Sequence, residues 1–207
     1  MLLFISIFLG NIIGISVFFL IDTLNLDISM KSLHQNFHEK GLIYMIIIIC
    51  LVAPIIEEIS FRLCLRYSSW NLSLMIGCWI YTILAQIIKS KVSFWGNFIF
   101  MYPIMALPIV YFFLEKCKIM NSAFDNFWSV NSRPIFYLSV VLFAFSHTFN
   151  FEVDLLTLIM IPILTLPQAI MGVILSYTRL KFGIIYSICL HIIFNAIAVG
   201  TSYFSYN

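Results

Sequence analysis

The stretch MIIIICLVAPIIEEISFR, residues 45–62, begins as an unbroken apolar run and ends with two carboxylates and a guanidinium within six residues. An ionised Asp, Lys or Arg at the centre of a membrane helix costs about 2.5–3.5 kcal/mol on insertion scales. Such groups persist in an apolar helix when they pair with one another or face a water-filled cavity. The run therefore reads as a membrane helix, placed at 42–67, whose charged end is turned away from lipid.

The rest of the chain repeats the apolar half of this pattern. Its 207 residues are 62% hydrophobic and only 10% charged, too few charges for a soluble surface. Apolar runs at 2–21, 42–67, 72–88, 94–114, 134–151, 155–177 and 183–203 predict an all-α fold, a polytopic transmembrane helical bundle of about seven spans. They form one membrane domain, 1–207: an N-terminal span and polar loop (1–41), then a helical core (42–203). Polar connections are expected at 22–41 and 115–133. Pro103, Pro108, Pro162 and Pro167 should kink their helices.

The first run, MLLFISIFLGNIIGISVFFLID, has no basic n-region and no small-residue cleavage signal, so a retained span is expected. Arg62, Arg66, Lys116, Lys118, Arg133, Arg179 and Lys181 fall on one side of the predicted topology. Lys31, Lys40, Lys89 and Lys91 fall on the other. The excess on the first side predicts a cytoplasmic N-terminus. A net charge of +2 without an extended basic cluster gives no sign of a nucleic-acid partner. Cys50, Cys64, Cys78, Cys117 and Cys189 show no spaced framework and read as small apolar packing residues. His34 and His38, at helical spacing in a polar connection, read as a headgroup-facing segment and not as a metal site.

Within the spans, the polar residues carry the information. Glu58 and Arg62 are four residues apart and about 40° apart around a helix, so they can pair on one face. Glu57 stands about 140° from Arg62 and is free to point into another sector. One glutamate braces and the other is available for chemistry. His147 closes LFAFSHTFN, with Phe143 one turn earlier on the same face. His191 and Asn195, in SICLHIIFNAI, are again four apart. Each alone could be an interhelical hydrogen-bonding group. Together, a carboxylate, two imidazoles and a carboxamide on three spans are the parts for water-activated acyl hydrolysis. A carboxylate and an imidazole can deprotonate water, and an imidazole and an amide can donate to an oxyanion. No serine or cysteine is flanked by these groups in a nucleophile motif.

These residues resemble the CPBP family, the CAAX-prenyl-protease and bacteriocin-immunity group of intramembrane proteases, also called the abortive-infection family. EEISFR (57–62), FAFSH (143–147) and HIIFN (191–195) are similar to its EExxxR, FxxxH and HxxxN motifs, in that order. APIIEEISFR and GVILSYTRLKFGIIYSICLHIIFN resemble the flanks. The resemblance implies a glutamate-dependent, membrane-embedded endopeptidase, a class historically grouped with metalloproteases. Glu57 and His147 would activate water, and His191 and Asn195 would form the oxyanion site. Glu58, Arg62 and Phe143 would support them. It also implies a peptide or protein substrate at or in the bilayer and a bacterial cytoplasmic-membrane location. The wide separation of the first two motifs marks 72–114 as an inserted pair of spans, and Leu63 stands where the family often has glycine.

No cofactor is expected. A metal-dependent variant would bind a divalent ion such as zinc through Glu57, His147 and His191. Two non-enzymatic classes share the same residues: a bacteriocin self-immunity or membrane interaction protein on the same fold, and a small transporter coupling protons through the Glu–Arg pair.

Overall fold

The apolar runs fold as helices because the bilayer offers the backbone no hydrogen-bond partners, so each N–H and C=O must be satisfied within its own segment. A computed structural model describes residues 41–88, 118–151 and 154–206, with isolated positions 16, 23 and 111. Among the described residues the structure is helical throughout. Apart from positions 16, 23, 41 and 111, the expected spans at 2–21 and 94–114 and the connection at 22–41 lie outside them, as do Pro103, Pro108, Cys117 and the His34–His38 pair.

In chain order, a helical segment from Gly41 leads into a π-helical stretch, Ile46–Val52, and then into α1, Ala53–Phe61. A 3-10 turn, Leu63–Leu65, connects to α2, Ser69–Ile88. Then come α3 (Lys118–Val130), α4 (Ser132–Ser146) and a second 3-10 turn, His147–Asn150. Helices α5 (Leu155–Leu164), α6 (Leu166–Phe182) and α7 (Ile184–Tyr206) complete the chain. Three stretches among the described residues are long and apolar enough to cross a membrane: Gly41–Leu65, Leu155–Phe182 and Ile184–Thr201.

Exposure confirms the environment. Ile43, Ile47, Leu51 and Ile55 are exposed at four-residue spacing along the first of these stretches, while Glu58 and Arg62 at its end are wholly buried. Tyr137, Val141 and Phe145 repeat the exposed apolar stripe on α4, and Leu155, Ile159 and Ile163 on α5. A soluble protein hides such faces. Here lipid covers them, and the protein is an integral membrane protein.

The structure comprises two compact units, Ile56–Phe136 and the remainder, Met1–Ile55 with Tyr137–Asn207. In the larger unit α6 and α7 form a helical hairpin. Gly183 breaks the chain between them with φ 108°, a conformation that L side chains rarely adopt. The Ser187 hydroxyl donates to the Leu175 carbonyl across the hairpin at 3.0 Å, and Leu175, Leu190 and Phe194 pack beside it. Val199 of α7 meets Met45 and Cys50 of the first stretch.

Helices in lipid gain little from apolar burial and associate through close packing and interhelical hydrogen bonds. Gly172 of α6 provides a close approach: a Cβ there would meet Phe143 Cδ1 and Val140 Cγ1 of α4, both at 3.3 Å.

Two expectations change. The run at 155–177 divides at Thr165 into two helices; the division falls between the Ile163 carbonyl and Pro167, whose missing N–H would have served that carbonyl, while Pro162 lies inside α5. The connection expected at 115–133 contains α3, an amphipathic helix whose Phe124 and Trp128 pack on Cys64 and Leu72 in the smaller unit. The Trp128 indole donates to the Cys64 carbonyl at 2.6 Å, and Asn121 Oδ1 accepts from Tyr67 and Ser69. Its polarity reads as a loop until that aromatic stripe is seen at helical spacing.

Candidate functional site

Helix α1 carries the acidic motif in the smaller unit. Arg62 Nη1 lies 3.1 Å from Glu58 Oε1, and neither side chain is exposed. The guanidinium also stands 5.8 Å from the Phe61 ring centre. Phe61 in turn meets Trp79 of α2 edge-to-face at 5.2 Å, and the Trp79 indole donates to the Ser60 carbonyl. The ion pair is thus held in a buried setting walled by aromatic rings. Glu57, one residue earlier, is only half-buried. The two adjacent glutamates leave the helix in different sectors, as their offset of about 100° requires.

The imidazoles and Asn195 belong to the larger unit. Phe143, itself 1% exposed, is the ring they share. His147 meets it edge-to-face at 4.7 Å and His191 at 5.7 Å. Gly172 lets α4 come close enough to α6 for Phe143 to occupy this place. His191 is buried within α7.

The sequence places His147 within a helical span. Instead α4 ends at Ser146, and His147 opens the following 3-10 turn. The reason is local. The Ser146 hydroxyl donates to the Phe143 carbonyl at 2.7 Å, and His147 Nδ1 lies 2.9 Å from the same oxygen. Side chains thus compete for the carbonyl that the helical ladder would use. A carbonyl only accepts, so Nδ1 carries the proton in this contact and the neutral ring presents Nε2 as an acceptor.

Asn195 lies one turn beyond His191 on α7. Its Nδ2 donates to the Ile49 carbonyl in the π-helical stretch at 2.8 Å. A carboxamide nitrogen has two hydrogens, so one remains for another acceptor. Sequence reasoning reaches neither the Asn195–Ile49 bond nor the Gly172 seat. The legible signals are a lone glycine inside an apolar run for the seat and Pro54, which lacks an N–H, for the bond.

The arrangement separates into two chemical parts. The smaller unit offers a half-buried carboxylate next to a neutralised ion pair. The larger offers two imidazoles oriented by one phenyl ring and an amide on the neighbouring turn. Residues 39–197 match the type II CAAX prenyl endopeptidase Rce1-like family. Comparison with curated proteins and with solved structures gave no match.

Proposed function

The chain belongs to the type II CAAX prenyl endopeptidase Rce1-like family, within the CPBP/CAAX proteases, and from that premise we propose that it is an intramembrane endopeptidase in which Glu57 and His147 activate the attacking water. The water oxygen bonds to the scissile carbonyl carbon as the carboxylate and imidazole take its proton. His191 and Asn195 donate hydrogen bonds to the oxyanion that forms. The C–N bond then breaks as the proton passes to the departing amine. The substrate is a peptide or protein segment at or in the bilayer.

The observation that best supports this reading is the common seat of His147 and His191 on Phe143. A single buried ring orients two imidazoles that the sequence separates by two whole helices and the start of a third. With Nδ1 committed to a carbonyl, His147 has the tautomer a base requires. Glu58 and Arg62 supply a neutral brace beside Glu57. No metal takes part in the proposed steps. Turnover that survives a strong chelator supports that version, and loss of turnover with recovery on zinc addition would favour a metal bound through Glu57, His147 and His191.

The proposal extends to topology: about seven spans, the pair at 72–114 an insertion, the N-terminus on the cytoplasmic side of a bacterial membrane. The central test is Glu57→Gln in proteoliposomes with a library of quenched membrane-anchored peptides. Removal of a general base typically costs about 10²–10⁴-fold in rate. A variant that folds and cleaves at the wild-type rate would overturn the assignment of Glu57 as the base, whereas a folded wild-type protein that cleaves none of the peptides would favour a non-catalytic binding role.

A further inference from the structure

The π-helical stretch before the acidic motif contains a backbone fault that Pro54 creates and Asn195 repairs. In this stretch each carbonyl looks for an N–H five residues on, and the Ala53 N–H accordingly donates to the Ile48 carbonyl. The next carbonyl in that series is Ile49, and its partner would be residue 54. Residue 54 is proline and has no N–H. The α-helical alternative is also closed, since the Ala53 N–H is already used by Ile48. Ile49 would carry an orphaned carbonyl inside a membrane span, where water is absent and an unsatisfied backbone group is costly.

Asn195 Nδ2 donates to that oxygen at 2.8 Å. The side chain comes from α7, 146 residues away in sequence, and stands where a backbone N–H would have been. Around it, Met45, Cys50 and Val199 pack together, with Ile49 and Tyr203 against them, so the stretch is clamped to α7 through both polar and apolar contacts.

We propose that Asn195 is a positioning residue as well as an oxyanion donor: it replaces the N–H that Pro54 lacks and so locks the π-helical turn that precedes Glu57. The consequence for chemistry follows from helical phase. Adding or removing one residue from a turn rotates everything beyond it by about 100°. Glu57 and Glu58 follow Pro54 within about one turn of the same helix. Their directions therefore depend on the π turn holding its form. This last step rests on the reading of Glu57 as the base, whereas the lock itself does not.

The test pairs Asn195→Leu, which keeps approximate volume and removes the donor, with Pro54→Ala, which gives residue 54 an N–H. Hydrogen exchange is followed by mass spectrometry on peptides covering 46–58 in detergent or nanodiscs, beside turnover. Asn195→Leu alone should raise exchange across 50–57 by about tenfold or more. In the Pro54→Ala/Asn195→Leu double variant the new backbone N–H at position 54 serves Ile49, and exchange should return to within about threefold of wild type. Turnover should stay low in the double variant, because the oxyanion donor is still missing. If Asn195→Leu does not fold, a folded double variant supports the lock equally well. Unchanged exchange in Asn195→Leu, or a double variant no better protected or folded than the single, would overturn it. The reading of Glu57 as base fails on a different result, undiminished turnover in Glu57→Gln.

Discussion

The Glu58–Arg62 pair makes the sharpest energetic test, because both partners are fully buried and their separation is known. With nitrogen and oxygen 3.1 Å apart, the charge centres are about 4 Å apart, and the attraction is about 4 kcal/mol at an effective dielectric of about 20. Desolvation of two ions opposes it by several kcal/mol, so the intact pair contributes little net stability. Removing one partner is different. Glu58→Gln removes the carboxylate paired with the buried guanidinium, and Arg62→Met leaves a buried carboxylate, each expected to cost about 3–5 kcal/mol. The double variant Glu58→Gln/Arg62→Met carries no charge and should recover most of that, giving a coupling energy of about 3 kcal/mol or more. Unfolding free energies of the four proteins, measured by steric trapping or denaturant titration in micelles, close the cycle. Single variants that each lose under about 1 kcal/mol, or losses that simply add, would refute the description of a mutually neutralising pair.

Other expectations follow from single contacts. Gly172→Ala would press a methyl group against Phe143 and Val140 at 3.3 Å; overpacking of this kind costs about 1–3 kcal/mol, and lost thermal stability and turnover should both recover when Val140→Ala is added. Trp128→Phe keeps the ring contacts of α3 but removes the indole donor to the Cys64 carbonyl; a loss of about 0.5–1.5 kcal/mol should appear as faster proteolysis between residues 118 and 130. At the head of α5, Asp154 has a lowered carboxyl pKa because the Thr157 side chain and the Thr157 backbone N–H, which donates at 2.6 Å, favour the carboxylate. Its folded pKa lies below the unfolded value of about 3.9, so this contribution to helix stability is present above that value and disappears as pH falls through the lower folded one. Exchange at the Thr157 amide, corrected for its intrinsic rate, should therefore rise only in acid, and Asp154→Asn should abolish that dependence.

The amino-acid sequence by itself determined the solvent and the local pairings. Apolar runs of about 20 residues with so few charges leave no soluble alternative, since only a bilayer tolerates such faces uncovered. The Glu58–Arg62 pair was legible because i,i+4 neighbours are fixed by the helix repeat alone, and the same repeat separated Glu57 from its neighbour. Motif order identified the family for the same reason, being a property of the string.

What periodicity cannot encode is which distant turns meet. That Phe143 serves both His147 and His191 depends on α4 reaching α6, and this depends on the missing side chain at Gly172. That α4 stops before His147 depends on a three-way competition for one carbonyl. That 115–133 holds a helix depends on Phe124 and Trp128 finding Cys64 and Leu72. Pro54 announces a missing donor to any reader of the chain, but the identity of its substitute, Asn195, is a fact of tertiary structure alone. A helix repeat acts over a few residues, whereas a buried carbonyl accepts whichever donor the packed fold brings within about 3 Å.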